Sequence, residues 1–166
     1  MNAPRNTWRR VKVSLVREQG EAYTMRRRIR TGRDAASFLQ SYLGNDPRER
    51  FAVIYLDTRH CVIGTHDAHI GTATGSWFHP REVFCPAVAL AATAIIAAHN
   101  HPSGDPTPSA EDRAVTERLQ EAGKIMGIDV LDHIVMGTER YYSFAEQGFF
   151  PHNASNPTRQ PFEVTP

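Results

Sequence analysis

The sequence predicts a single α/β layered domain whose sheet is mixed, and three observations predict it. Two dense apolar runs, Phe51 to Asp57 and Ala94 to Ala98, are too short for helices and rich in strand formers. They read as buried strands. Stretches with apolar residues at helical spacing alternate with them. Short turns join strands near both ends of the domain, which a purely parallel sheet does not allow.

Taken in order, residues 1–10 are expected to be a flexible terminus and residues 11–150 the domain. Val11 to Val16 alternates apolar and polar residues, the pattern of a half-buried strand. Arg26, Arg27, Arg28, Arg30 and Arg33 then lie close together. Asp34 is placed to cap a helix running to about Leu43, with Ala35, Phe38, Leu39 and Tyr42 on one face. Gly44 to Pro47 ends it. Phe51 to Asp57 is the central strand, Thr58-Arg59-His60 a turn, and Cys61-Val62-Ile63 the start of a returning strand. Ala68 to Phe78, with Gly71 and Gly75, has strand-plus-loop composition.

His79-Pro80-Arg81-Glu82 reads as a helix start. Proline lacks only an N–H that has no partner there, and Glu82 suits the positive end of the helix dipole. This helix is expected to reach about Ala92, accommodating Pro86. Ala94 to Ala98 is the second buried strand and feeds into His99. Asn100 to Pro108 is a loop stiffened by three prolines. Ser109 opens a long helix to about Met126, where Val115, Leu119, Ala122 and Met126 recur near helical period, and Gly127 ends it. Ile128 to Met136 and Arg140 to Phe144 are two more strands, paired as a hairpin across Gly137-Thr138. Residues 151–166 are polar and proline-rich, the composition of a disordered tail.

Composition narrows the function classes. The chain has 166 residues, 40% of them apolar and 22% charged, with a formal net charge of +1. That balance exerts no global pull toward nucleic acid or membrane. The longest apolar candidate, Val88 to Ala98, is about half of the roughly 20 residues a membrane span needs. The first ten residues lack an apolar signal core, so the expected location is the cytoplasm. Cys61 and Cys85 have no CxxC neighbour and read as small core residues.

The segment from His99 to Asp112 carries the chemistry. Residues two apart in an extended segment point the same way, so His99 and His101 can present two imidazoles to one point at a strand end. Ser109 and Asp112 share one face of a helix's first turn. Ser109-x-x-Asp112 also has the form of a capping box, and HxH pairs occur without metal. Taken together, two nitrogens and one carboxylate oxygen make a three-ligand zinc set with a fourth position for water, the pattern of a catalytic rather than a structural site.

His99-x-His101, seven residues, then Ser109-x-x-Asp112 resembles the JAMM signature of the JAB/MPN metalloproteases. Phe51 to Asp57, Gly71-Thr72, His79 to Glu82, His99 to Gly104, Leu131-Asp132-His133 and Tyr141 to Phe144 resemble the RadC-like branch more closely. The likeness covers roughly Val11 to Phe149. It suggests a short form without the helix-hairpin-helix region of longer members. The resemblance implies a cytidine-deaminase-like mixed sheet sandwiched by helices, with one Zn2+ per chain. It implies a metallopeptidase or isopeptidase acting on a peptide or protein. It also implies a general-base glutamate, for which Glu49 stands at the matching place before the first buried strand. Glu82 and Asp67 are the rivals, Asp67 because the segment from Ile63 to Gly71 has no glutamate. Ser109 matches the residue that donates to the oxyanion.

Other residues read more plainly. His66 and His69 are rim residues, and His133 is a supporting residue that Asp132 could orient. Asn100 and Ser103 satisfy backbone groups of their own loop. The arginine cluster is a solvated face or, if it folds as one patch, a phosphate-gripping surface. Two rival functions therefore stand beside hydrolysis: a DNA-repair-associated nucleic-acid-binding protein or nuclease, and a metal-bound interaction module.

Overall fold

A computed structural model describes residues 27–43, 46–70 and 79–150. The expected strand at Val11 to Val16, Arg26, the loop around Gly71 and Gly75, and the tail from Pro151 lie outside these residues.

Among the described residues, five strands form one mixed sheet and three helices cover it. The elements are α1 (Gly32–Leu43), β1 (Arg50–Leu56), β2 (Val62–Ile70), α2 (Pro80–Ala89), β3 (Ala94–Asn100), α3 (Ala110–Met126), β4 (Asp129–Met136) and β5 (Tyr141–Ser143). Spatial order is β2-β1-β3-β4-β5. The β3–β4 pair is parallel and the others antiparallel. That single parallel pair exists because α3 carries the chain back between β3 and β4, as parallel neighbours require.

Strand alternation divides the core into two. Ala52, Ile54, Leu56, Ala94, Ile96, Ala98, Ile134 and Met136 face α1, which contributes Ala35, Phe38 and Leu39. Val53, Tyr55, Ile95 and Ala97 face α2 and α3, which contribute Val83, Phe84, Ala87 and Leu119. β1 and β3 are covered on both sides, which explains their unbroken apolar composition.

Four local expectations are corrected. Thr31, not Asp34, is the cap of α1: its hydroxyl accepts from Asp34 N at 3.1 Å, while Asp34 Oδ2 accepts from Thr31 N at 3.1 Å and Arg30 N at 2.9 Å. Both residue types cap well, and the reciprocal box needs the one three positions earlier. Second, α2 stops at Ala89. Ala91 turns left-handed (φ 52°), and its neighbours close the end with Ala92 N–H to Ala87 O and Ala91 N–H to Val88 O. This is a Schellman closure without the usual glycine, so no glycine marked it in the sequence. Third, Cys85 is exposed and Cys61 half-buried. The helical phase that buries Val83, Phe84 and Ala87 turns Cys85 outward. The fourth concerns Asp132 and Asn100 and belongs to the site.

Candidate metal centre

The site lies where β3 ends and α3 begins. His99 is the last but one residue of β3, on the face toward α3, and is buried. His101 follows one residue beyond the strand, its N–H donating to Met136 O of the parallel neighbour at 2.9 Å. The chain then turns at Gly104, which has φ 82° and whose carbonyl accepts from Thr138 N at 3.1 Å. The β4–β5 turn thus holds the loop that returns to α3.

Ser109 caps α3, and the capping box is complete. Its hydroxyl accepts from Asp112 N at 3.1 Å and donates to Asp112 Oδ2 at 2.7 Å, and the same oxygen accepts from Ser109 N at 2.7 Å. The capping and ligand readings of this motif are therefore compatible. Asp112 keeps Oδ1 3.1 Å from His99 Nε2, while Oδ2 lies 3.6 Å from His101 Nε2. The two imidazole nitrogens are 3.0 Å apart. Ligand atoms held by one tetrahedral zinc stand about 3.3 Å from one another, so these separations match. His99, His101 and Asp112 could together hold a metal ion, each offering one ligand atom.

The donor chemistry of the set agrees with its spacing. The Thr116 hydroxyl donates to Asp112 O at 2.6 Å, since a carbonyl can only accept. It must then accept from His133 Nδ1, at 2.6 Å. That leaves His133 Nε2 as the acceptor for His99 Nδ1–H, at 2.9 Å, and Nε2 of a neutral His99 without a proton. His101 Nδ1 faces Asp105 O at 2.7 Å and must donate to it, so neutral His101 also leaves Nε2 bare. With both rings neutral, this network turns two Nε2 lone pairs and the carboxylate toward one point; a proton on either Nε2 supplies its hydrogen bond to Asp112, and a cation can take that proton's place.

The electrostatics follow the same logic. Burial alone would raise Asp112, but hydrogen bonds from His101, His99 and Ser109 and the charge of His99 outweigh it, holding the carboxyl far below its usual range. Hydrogen bonding to Asp112 raises His101 above an ordinary histidine, with the Asp105 carbonyl and the Asp112 and Glu49 charges adding and burial opposing. His133 is pushed well below an ordinary histidine, by burial first and by His99 second, so it is neutral. Side-chain exposure of 2% at His99 against 19% at His101 and 14% at Asp112 shows on which side the site opens to solvent.

Glu49 stands next to this site. Glu49 lies just before β1, two residues ahead of Phe51, whose partner on β3 is His99. The Glu49 charge acts on His101. Asp67 pairs with Arg50 at 2.6 Å, and Glu82 lies in the first turn of α2 beside Arg81.

Asn100 and Asp132 depart from expectation. Asn100 does not serve its own loop. Its Oδ1 accepts from Arg50 N at 2.8 Å, and its Nδ2 donates to Arg48 O at 2.9 Å and Asp46 O at 3.1 Å. It points to the other face from His99 and fixes the segment bearing Glu49. Ser103 does remain local, accepting from Asp105 N at 3.4 Å. Asp132 does not touch the His133 ring, because successive strand residues face opposite sides. It accepts from the backbone N–H groups of His133 and Ala145 and from the Ser143 hydroxyl. The ring is oriented by Thr116 and His99 and stacked on Phe144 (5.2 Å, 8°). Thr116 escaped the sequence reading, although its place one helical turn after Asp112 was a usable signal.

The arginines do not act alike. Arg27 donates to Ser37 at 2.9 Å and lies 5.5 Å over the Phe38 ring, and Arg33 acts on Tyr141. No helix among the described residues is long and apolar enough to cross a membrane.

Residues 29–149 match the family described as RadC-like JAB domain. The chain is similar to UPF0758 proteins of several organisms. One of Bacillus cereus is 47% identical over 126 residues, 76% of this chain and 56% of that protein. One of Bacillus pumilus is 45% identical over 121 residues, 73% of this chain and 54% of that protein. One of Methanosarcina mazei is 42% identical over 124 residues, 75% of this chain and 54% of that protein. The chain thus spans about half the length of the curated relatives it matches, and their shared name states no activity. With the fold and the motif both in place, the chain belongs to the RadC-like JAB domain family.

Proposed function

We propose that this chain is a zinc-dependent hydrolase that cleaves a peptide or isopeptide amide. One observation carries the reading: the Nε2 atoms of two histidines and a carboxylate converge within 3.6 Å of one another, each able to offer one ligand atom. His99, His101 and Asp112 would hold the metal, and three protein ligands leave room for water. A divalent metal bound there supplies Lewis acidity and lowers the pKa of water toward neutrality.

The remaining work falls to this chain's own side chains. Glu49 takes the proton of the attacking water and delivers it to the leaving amine. The action of its charge on His101 supports this role over Asp67, which is engaged by Arg50, and over Glu82, which belongs to the α2 terminus. Ser109 re-aims its O–H from Asp112 toward the developing oxyanion, a rotation about one bond.

The test is elemental analysis of the purified protein followed by a screen of peptide and isopeptide amides. About one zinc per chain is expected, lost in a His99→Ala, Asp112→Ala double variant. Glu49→Gln should keep the metal and lower turnover by about 10²- to 10⁴-fold, while Glu82→Gln changes neither. If neither protein takes up zinc, the hydrolase reading falls. A second reading, a metal-bound interaction module, draws on the closed Ser109–Asp112 box, in which the hydroxyl proton is already engaged. Stoichiometric zinc with no turnover on any amide would select it.

A further inference from the structure

One histidine in the site is not a ligand, yet it is the most enclosed of the three. His133 is fully buried on β4, between the Phe51 and Phe144 rings. A phenylalanine would satisfy those contacts equally well, so packing alone does not explain an imidazole. Both ring nitrogens are engaged instead, Nδ1 with Thr116 Oγ1 at 2.6 Å and Nε2 with His99 Nδ1 at 2.9 Å. Thr116 is also fully buried and binds the Asp112 carbonyl at 2.6 Å.

We infer that His133 is a positioning residue that fixes the ring orientation and tautomer of His99, and that Thr116 fixes His133 in turn. The inference rests on the metal reading above. The relay has a direction. The Thr116 hydroxyl holds one proton and gives it to Asp112 O, so His133 must donate through Nδ1 and accept through Nε2. Neutral His99 must then carry its proton on Nδ1 and direct a lone pair into the site. Because Thr116 and Asp112 sit one turn apart on α3, the same hydroxyl ties the His99 ring to the helix turn that carries the carboxylate. Two of the three candidate ligands, from different elements, are thereby set by one buried chain of hydrogen bonds. Hydrogen bonds of this kind to a ligand histidine typically govern metal affinity by about 10- to 100-fold.

The test uses zinc as the probe, with affinity read by competition against a chromophoric chelator. His133→Phe keeps the stacking and deletes the acceptor, and is expected to weaken zinc binding by about 10- to 100-fold while the far-UV spectrum stays native. Thr116→Val should weaken it less, and Thr116→Ser should restore it. The His133→Phe, Thr116→Val double variant should bind no more weakly than His133→Phe alone, because Thr116 acts through His133. Zinc affinity within about twofold of native for His133→Phe, or multiplying effects in the double variant, would overturn the relay. A direct measurement needs no variant: nitrogen-15 shifts of the metal-free protein near about pH 8 should show His133 protonated at Nδ1. A proton at Nε2 overturns the relay and leaves the metal reading intact, whereas a native protein that binds no zinc overturns both.

Discussion

Asn100 Oδ1 accepts the backbone N–H of Arg50 at 2.8 Å, joining the last residue of β3 to the first of β1 beside the candidate metal centre. One carboxamide satisfies three backbone groups of the segment that carries Glu49. Asn100→Asp keeps the shape but sets a carboxylate against two carbonyl oxygens. We expect a loss of about 1–3 kcal/mol of stability, with zinc stoichiometry retained and turnover reduced. Denaturant unfolding and metal analysis on the same sample check this. An unchanged unfolding midpoint would mean the contacts carry little.

Ser109 and Asp112 separate cap from ligand. Ser109→Ala removes the cap and should lower stability by about 1 kcal/mol while zinc remains bound. Asp112→Asn retains a side-chain acceptor for the helix end but removes the anionic ligand, and should abolish stoichiometric zinc. Thermal unfolding beside metal content distinguishes the two. Zinc retained by Asp112→Asn would remove that residue from the ligand set.

Gly137 lets the β4–β5 turn approach the metal loop. An added Cβ there would collide with Gly104 O and lie 2.8 Å from Pro106 Cδ. Gly137→Ala is therefore expected to cost about 1–3 kcal/mol and to weaken zinc binding, because the loop it displaces holds His101 through the Asp105 carbonyl. A variant destabilised to that extent yet native in zinc affinity would show that the loop re-seats itself.

Asp132 predicts a pH dependence of folding. Burial pushes its carboxyl up to about 7 from an ordinary 3.8, against three hydrogen bonds and with help from Glu146. Between these values the folded protein keeps a proton that the unfolded chain releases. Stability therefore falls as pH rises through this window. Asp132→Asn mimics the protonated form and should remove the dependence, gaining on the order of 1–4 kcal/mol relative to native at the upper end. Unfolding midpoints of both proteins at the two ends of the window test this; parallel behaviour would contradict it.

The legible parts of this molecule were those encoded by neighbours in sequence. β1 and β3 showed as apolar runs because both faces are covered. His99, His101 and Asp112 showed because strand and helix periodicities place them without reference to the rest of the fold. What escaped depends on pairing between distant segments. His133 meets His99 only through the parallel β3–β4 pair, and Asn100 meets Arg50 across fifty positions. Cys85 departs for another reason: the phase of α2, and not the usual burial of cysteine, decides its exposure.

The parallel pairing of β3 with β4 also bears on the order of assembly. The three candidate ligands lie on one short stretch, whereas the groups that aim them, His133 and Met136, arrive only when the α3 crossover has closed. Non-local pairing of this kind is slow to form. An unfolded chain can meet zinc early, but it gains the aimed geometry only at the end. A metal taken up at this site would then be a late guest, received by a finished sheet, and not the seed around which the chain collapses.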